Sequence, residues 1–169
     1  MDPRPPRLAL TQGDPAGIGP EILLKLLQPS PSGLPARWQP IVVAERAALE
    51  ALRPVMTDFP WDRLHYVSSP DSLDSSKGID GAAIPVLDPV GERRALSFGQ
   101  SGPADAGGAM AALDAGIALV RSGRADALVT APVAKGSIDR HVLPGFKGHT
   151  DYLAEACGLE RYGRDYLMA

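Results

Sequence analysis

The sequence predicts an α/β domain with a largely parallel sheet, and three observations carry that prediction. Short apolar runs, Leu8-Ala9-Leu10, Ile41-Val42-Val43-Ala44 and Ala127-Leu128-Val129, alternate with helical stretches along the chain. The second run has no polar alternation, the pattern of a strand covered on both faces. Residues suited to chemistry gather after Leu10 and again after Val129. In such folds the carboxyl ends of strands open onto a ligand cleft.

Arg7–Thr11 reads as the first strand, and it runs into a glycine-rich turn, Thr11-Gln12-Gly13-Asp14-Pro15-Ala16-Gly17-Ile18-Gly19-Pro20-Glu21. Residues 20–28 read as the first helix, because Pro20 suits the first helical position and Glu21 favours the positive end. Pro29, Pro31, Gly33 and Pro35 stop it. A buried strand is expected over 41–44 and a helix over 46–53, ended by Pro54. Leu64–Val67 reads as a strand, and 68–81, rich in Ser, Asp and Gly, as a surface loop or linker. Ile84–Leu87 is expected at a sheet edge, since Pro85 cannot donate to a ladder. Residues 91–94 read as a turn.

The strongest helical pattern covers 102–121, where Ala106, Met110, Leu113, Ile117 and Val120 recur at three- and four-residue steps. Gly107, Gly108, Ala111, Ala112 and Ala115 would let another element approach closely, and Gly123 closes the helix. Ala127–Thr130 then reads as a central strand, 134–138 as a short helical turn and 149–157 as a helix. Leu153, Ala156 and Cys157 should share that last helix's apolar face. Tyr166-Leu167-Met168-Ala169 reads as a strand in progress with no closing turn, which suggests that the sequence is a portion of a longer protein; the alternative is a short C-terminal strand that ends the fold.

Composition excludes several classes. Seventeen basic against twenty acidic residues give a net charge of −3, so nothing draws the whole molecule to nucleic acid or an anionic membrane. No run approaches the length of a transmembrane helix, and Met1-Asp2-Pro3-Arg4-Pro5-Pro6 is not a signal peptide. Cys157 is the single cysteine, so no internal disulfide forms. That suits a reducing cytoplasm. Cys157 itself reads as a small core hydrophobe, and Trp38 and Trp61 as packing residues beside prolines.

Three segments can carry chemistry. The glycine turn fits neither the dinucleotide fingerprint nor the Walker loop, because its spacing is Gly13-x-x-x-Gly17-x-Gly19 and Pro20 follows. Asp14 within it could bind an amine or hydroxyl or orient a basic group; alternatively it holds its own turn. Lys135, in Thr130-Ala131-Pro132-Val133-Ala134-Lys135-Gly136-Ser137, could hold a phosphate or carboxylate, or act as a base once desolvated. The bland alternative is a solvated surface lysine. His149 and Thr150, in Gly145-Phe146-Lys147-Gly148-His149-Thr150-Asp151-Tyr152, suit a polar substrate; alternatively one of them caps the helix. His65, His141 and His149 form no metal-spaced cluster.

Taken in order, these three segments, the last continuing Leu153-Ala154-Glu155, resemble the 4-hydroxythreonine-4-phosphate dehydrogenases of vitamin B6 synthesis. The resemblance implies a three-layer α/β/α fold like that of isocitrate and isopropylmalate dehydrogenases, with residues 1–169 as an incomplete N-terminal portion. It implies a homodimer whose cleft is completed by the partner subunit. The implied reaction is NAD-dependent oxidation of 4-phosphooxy-L-threonine, then decarboxylation to 3-amino-2-oxopropyl phosphate, assisted by a divalent metal (Zn, Mg or Co). His149 and Thr150 match the family's substrate-binding Gly-His-Thr motif. Lys135 and Asp14 are the candidate catalytic residues. The family's metal-binding histidines lie beyond this stretch, so no metal ligand is carried over and the cofactor contacts stay unassigned. Relatives acting on four-carbon sugar-acid phosphates, such as threonate or erythronate 4-phosphate, or on cyclic dihydrodiols, are the alternative enzyme readings. A noncatalytic small-molecule-binding or dimerising role for the isolated chain is the alternative of another class.

Overall fold

The computed structural model describes residues 4–29, 38–75, 83–160 and 163–165. Five parallel strands, β1 (Arg7–Thr11), β2 (Gln39–Val43), β3 (Leu64–Val67), β4 (Ile84–Leu87) and β5 (Ala127–Thr130), form one sheet in the order β3-β4-β2-β1-β5. The helices are α1 (Gly19–Leu26), α2 (Arg46–Glu50), α3 (Ser72–Ser75), α4 (Pro103–Arg121), α5 (Lys135–His141) and α6 (His149–Ala156).

Side-chain alternation along the strands makes two cores. Leu10, Val42, Ile84 and Val86 face one side and pack with Leu23, Leu24 and Leu27 around α1 and with Leu49 of α2. Trp38 and Trp61 pack against this cluster, as their setting beside prolines suggests. Ala9, Ile41, Val43 and Leu87 face the other side and pack with Ala112 and Leu119 of α4. Helices therefore cover both faces, as the near-continuous apolar strands require. A third cluster joins α4 to α5 and α6 through Met110, Leu113, Ile138, Phe146 and Tyr152.

Helix α4 reaches the sheet through glycines, but not through all of the small residues on its surface. A Cβ on Gly116 would lie 2.7 Å from both Leu128 and Thr11, and one on Gly108 would lie 1.8 Å from a Glu45 oxygen. Gly107 faces open space.

Several elements differ from the sequence expectation. β4 is an interior strand, flanked by β3 and β2. Pro85 stands opposite His65 in the β3–β4 register but precedes the β2–β4 register, which covers Val42↔Val86 and Val43↔Leu87, so no β2 partner requires its missing N–H. β5 is not central; among the described residues it is an outer strand. Its apolar composition suggests double burial, yet Val129 is 46% exposed and only Leu128 packs into the α4-side clusters. Helix α2 stops at Glu50 and continues as turns, and α3 is one helical turn inside the expected loop. Cys157 is exposed rather than buried. It follows the last residue of α6, outside the cluster that α6 joins through Tyr152 and Leu153. The expected strand at 166–169 lies outside the described residues.

Candidate active site

The strand order fixes where a cleft can form. From β1 the chain moves through α1 to β2 on one side, whereas α4 carries it back across the sheet to β5 on the other side of β1. The connections leaving β1 and entering β5 thus lie on opposite faces. The carboxyl ends of β1 and β5 flank the point where strand order reverses, the usual ligand crevice of an open α/β sheet. The Gln12–Gly19 turn leaves β1 there, and the 131–135 segment leaves β5 beside it.

The two segments are fastened together through backbone. Asp14 N–H donates to Pro132 O at 2.9 Å, and Ala131 N–H donates to Thr11 O at 3.0 Å. Gly13 has φ +67°, and a Cβ there would lie 2.2 Å from Pro132 O. Both facts require glycine. The nearly buried Asp14 carboxylate turns onto its own loop, where Oδ1 accepts Ala16 N–H at 3.0 Å. The geometry is that of an aspartate turn, the structural alternative open at this position.

Lys135 is the first residue of α5, and its exposed side chain reaches across to the start of α6. There it lies against Gly148, whose Cβ would stand 3.0 Å from Nζ. Among the described residues Lys135 enters no ion pair, so its ammonium is available to an anion. His149, half-buried, opens α6 beside it. Burial, and secondarily the Lys135 charge, hold the His149 imidazole below its ordinary value of 6.5. The N-cap of α6 is Gly148, so neither His149 nor Thr150 is the capping residue. Lys135, His149 and Thr150 therefore gather at two adjoining helix starts. The Asp14 backbone is joined at Pro132 to the segment that leads into Lys135. Among the described residues no group of three His, Cys, Asp or Glu side chains is placed to hold a metal.

Sequence reasoning misses a buried polar network behind the turn. Gln12 and Glu45 are fully buried, and Asp105 is nearly so. Arg94 binds Glu45 through two nitrogens, Nε at 2.7 Å and an Nη at 3.0 Å, and binds Asp105 through the other Nη at 2.7 Å. Gln12 Nε2 donates to Glu45 Oε1 at 3.3 Å, and Glu45 N–H donates to Gln12 Oε1 at 2.9 Å. The carboxylates hold the Arg94 guanidinium even more firmly protonated than usual. A carboxylate directly after the apolar run that ends at Ala44 is the one local signal for this network.

A cavity of about 400 Å³ lies elsewhere, at the carboxyl ends of β3 and β4, among Arg46, Tyr66, Ser68 and Asp88. Its carboxylate is engaged in shaping the loop, since Asp88 accepts the N–H groups of Arg46, Val90 and Gly91. The Lys135–Gly148 contact lies apart from it, on the segments that follow β5.

The family model "Pyridoxal phosphate biosynthetic protein PdxA" matches residues 36–168. The 4-hydroxythreonine-4-phosphate dehydrogenase of Acidithiobacillus ferrooxidans (strain ATCC 53993 / BNL-5-31) is 39% identical over 158 residues, spanning 90% of this chain and 42% of that protein. The enzyme of the same name from Chromobacterium violaceum is 36% identical over 160 residues, spanning 92% and 43%. The crystal structure of a 4-hydroxythreonine-4-phosphate dehydrogenase from Burkholderia phymatum superposes with a TM-score of 0.73 at 26% identity, covering 92% of this chain and 44% of that one. This chain spans less than half the length of the relatives it matches.

Proposed function

The chain belongs to the PdxA family of pyridoxal phosphate biosynthetic proteins, and from that premise we propose that the whole protein oxidises 4-phosphooxy-L-threonine with NAD. The product 2-amino-3-oxo-4-phosphooxybutanoate then loses carbon dioxide to give 3-amino-2-oxopropyl phosphate. The observation that supports the reading is the Lys135 ammonium, in no ion pair among the described residues, beside a half-buried His149 whose imidazole burial holds below its ordinary value.

In this reading Lys135 attracts an anionic group of the substrate, as a flexible point charge does. His149 and Thr150 hydrogen-bond its polar groups, with His149 nearer the reacting end. In the neutral form, which its burial favours, His149 can accept a hydrogen bond from a hydroxyl without adding charge. Asp14 fixes the turn that walls the cleft and can orient a polar group there. When bound, NAD accepts the hydride and a divalent metal (Zn, Mg or Co) polarises oxygen. The described residues offer no metal cluster, so no step through a metal is assigned to this chain, and neither are cofactor contacts.

The remaining parts of the reading concern assembly. Residues 1–169 serve as the N-terminal portion of a cytoplasmic, homodimeric enzyme with the isocitrate and isopropylmalate dehydrogenase architecture. The exposed apolar row Ile18, Ile22 and Leu26 along α1 supports the packing of further protein there. No helix among the described residues is long and apolar enough to cross a membrane.

The test is NADH formation by the full-length protein with 4-phosphooxy-threonine, threonate 4-phosphate and erythronate 4-phosphate compared side by side. The first is expected to give the highest kcat/KM. Clear preference for a sugar acid would replace it by the sugar-acid reading, and absence of turnover with all three would reject the dehydrogenase reading.

A further inference from the structure

We propose that Arg94 is a positioning residue of this cleft, its one guanidinium fixing the Asp14 turn and the start of α5 relative to each other through Glu45 and Asp105. The role rests on the reading above that Asp14 and Lys135 border one substrate cleft.

Two hydrogen-bonded paths leave the guanidinium. The first runs to Glu45, between β2 and α2, which takes two Arg94 nitrogens at 2.7 and 3.0 Å. Glu45 and Gln12 then grip each other twice, Gln12 Nε2 to Glu45 Oε1 at 3.3 Å and Glu45 N–H to Gln12 Oε1 at 2.9 Å. Gln12 immediately precedes Gly13 and Asp14, so this path ends on the glycine turn. The second runs to Asp105 at 2.7 Å. The other Asp105 oxygen accepts Gly102 N–H at 2.9 Å. The carbonyls of Ser101 and Gly102 in turn accept the Ser137 hydroxyl at 2.9 and 3.3 Å. Ser137 lies in the first turn of α5, two residues beyond Lys135.

The chemistry of the centre explains why an arginine stands there. A planar fork with five donors can serve two carboxylates from different elements at once, with fixed angles to both. An ammonium offers no such fixed plane. Glu45 is fully buried, and removing its partner leaves a charge without compensation. A buried ion-pair network of this kind is weak evidence for net stability over a packed apolar core. What it determines here is geometry: beyond the ends of the β1–β2 and β1–β5 ladders, the segments that carry Glu45, Arg94 and Asp105 meet at one side chain.

The experiment follows amide hydrogen exchange in the full-length protein. Arg94→Gln and Arg94→Lys are compared with wild type and with Leu64→Ala, a core truncation in β3 remote from the network. Arg94→Gln should speed exchange about tenfold or more in both 12–17 and 134–138, with Arg94→Lys intermediate. Unchanged exchange in either segment, or a rise no larger than in Leu64→Ala, overturns the proposal. If Arg94→Gln does not fold, Arg94→Lys, which keeps the charge and loses the fork, decides by the same criterion. In the active enzyme Arg94→Lys should raise the KM for substrate about tenfold and leave kcat within about twofold; an unchanged KM also overturns the proposal. Failure of wild type to turn over any of the three substrates would sink the functional reading alone, because the exchange result needs no catalysis.

Discussion

The Lys135 side chain lies against Gly148, where a Cβ would stand 2.9 Å from Cε and 3.0 Å from Nζ. The same glycine has φ +140° and caps α6. A methyl group at Gly148 would therefore strain the backbone and push aside the ammonium, which is the movable partner. Gly148→Ala should cost roughly 1–3 kcal/mol in backbone strain and should raise KM more than it lowers Tm relative to other variants of equal stability. Unchanged kcat and KM would show that Lys135 does not contact the substrate.

His149 should titrate below 6.5 in the folded protein, because burial, and then the neighbouring Lys135, disfavour its imidazolium form. A folded value below the unfolded one means that the stability this group contributes is complete above the unfolded pKa. It is lost as the pH falls through the folded pKa, because the unfolded chain takes up the proton first. Lys135→Met removes the repulsion and should move the His149 titration upward in an NMR experiment, with burial still opposing the charge. A downward shift, or none, would separate the two groups.

Neighbouring glycines on α4 should respond in opposite directions. A Cβ at Gly108 would stand 1.8 Å from a Glu45 oxygen that Arg94 holds in place, whereas Gly107 meets nothing within 4 Å. Gly107→Ala should stabilise by about 0.5–1 kcal/mol, the helical preference of alanine over glycine. Gly108→Ala should destabilise by about 1–3 kcal/mol through overpacking. Thermal unfolding of both variants reads the contrast directly.

Asp14 accepts Ala16 N–H through Oδ1 at 3.0 Å. Asparagine retains that acceptor and alanine does not. Asp14→Ala should cost about 1 kcal/mol, the net value of a lost hydrogen bond, and Asp14→Asn should cost less. If Asp14→Asn matches wild type in stability but loses turnover, the carboxylate charge acts on the substrate beyond holding the turn.

Local physics made part of this molecule readable from its residues. β1, the glycine turn and α4 obey short-range rules, and their boundaries match the expectation within a residue. Pro85 misled because a proline restricts an interior strand only at positions that must donate to a ladder, and register is not written in the strand itself. Val129 misled for a related reason: an apolar run does not say how many neighbours it has. The candidate site residues Lys135, His149 and Thr150 were legible as a glycine-spaced pattern of reactive types. The Glu45–Arg94–Asp105 network was not, since its members are ordinary charged residues until the fold brings distant segments together.

The hydrogen bond from Asp14 N–H to Pro132 O also sets a clock. Asp14 and its partner carbonyl lie 118 residues apart in the chain, so the turn is synthesised well before the strand it closes against. At the usual pace of synthesis the gap is on the order of ten seconds. For that interval the turn has β2 to pair with but no β5 to close against. The backbone contact of the turn is thus completed only when β5, synthesised later than β1 and β2, docks.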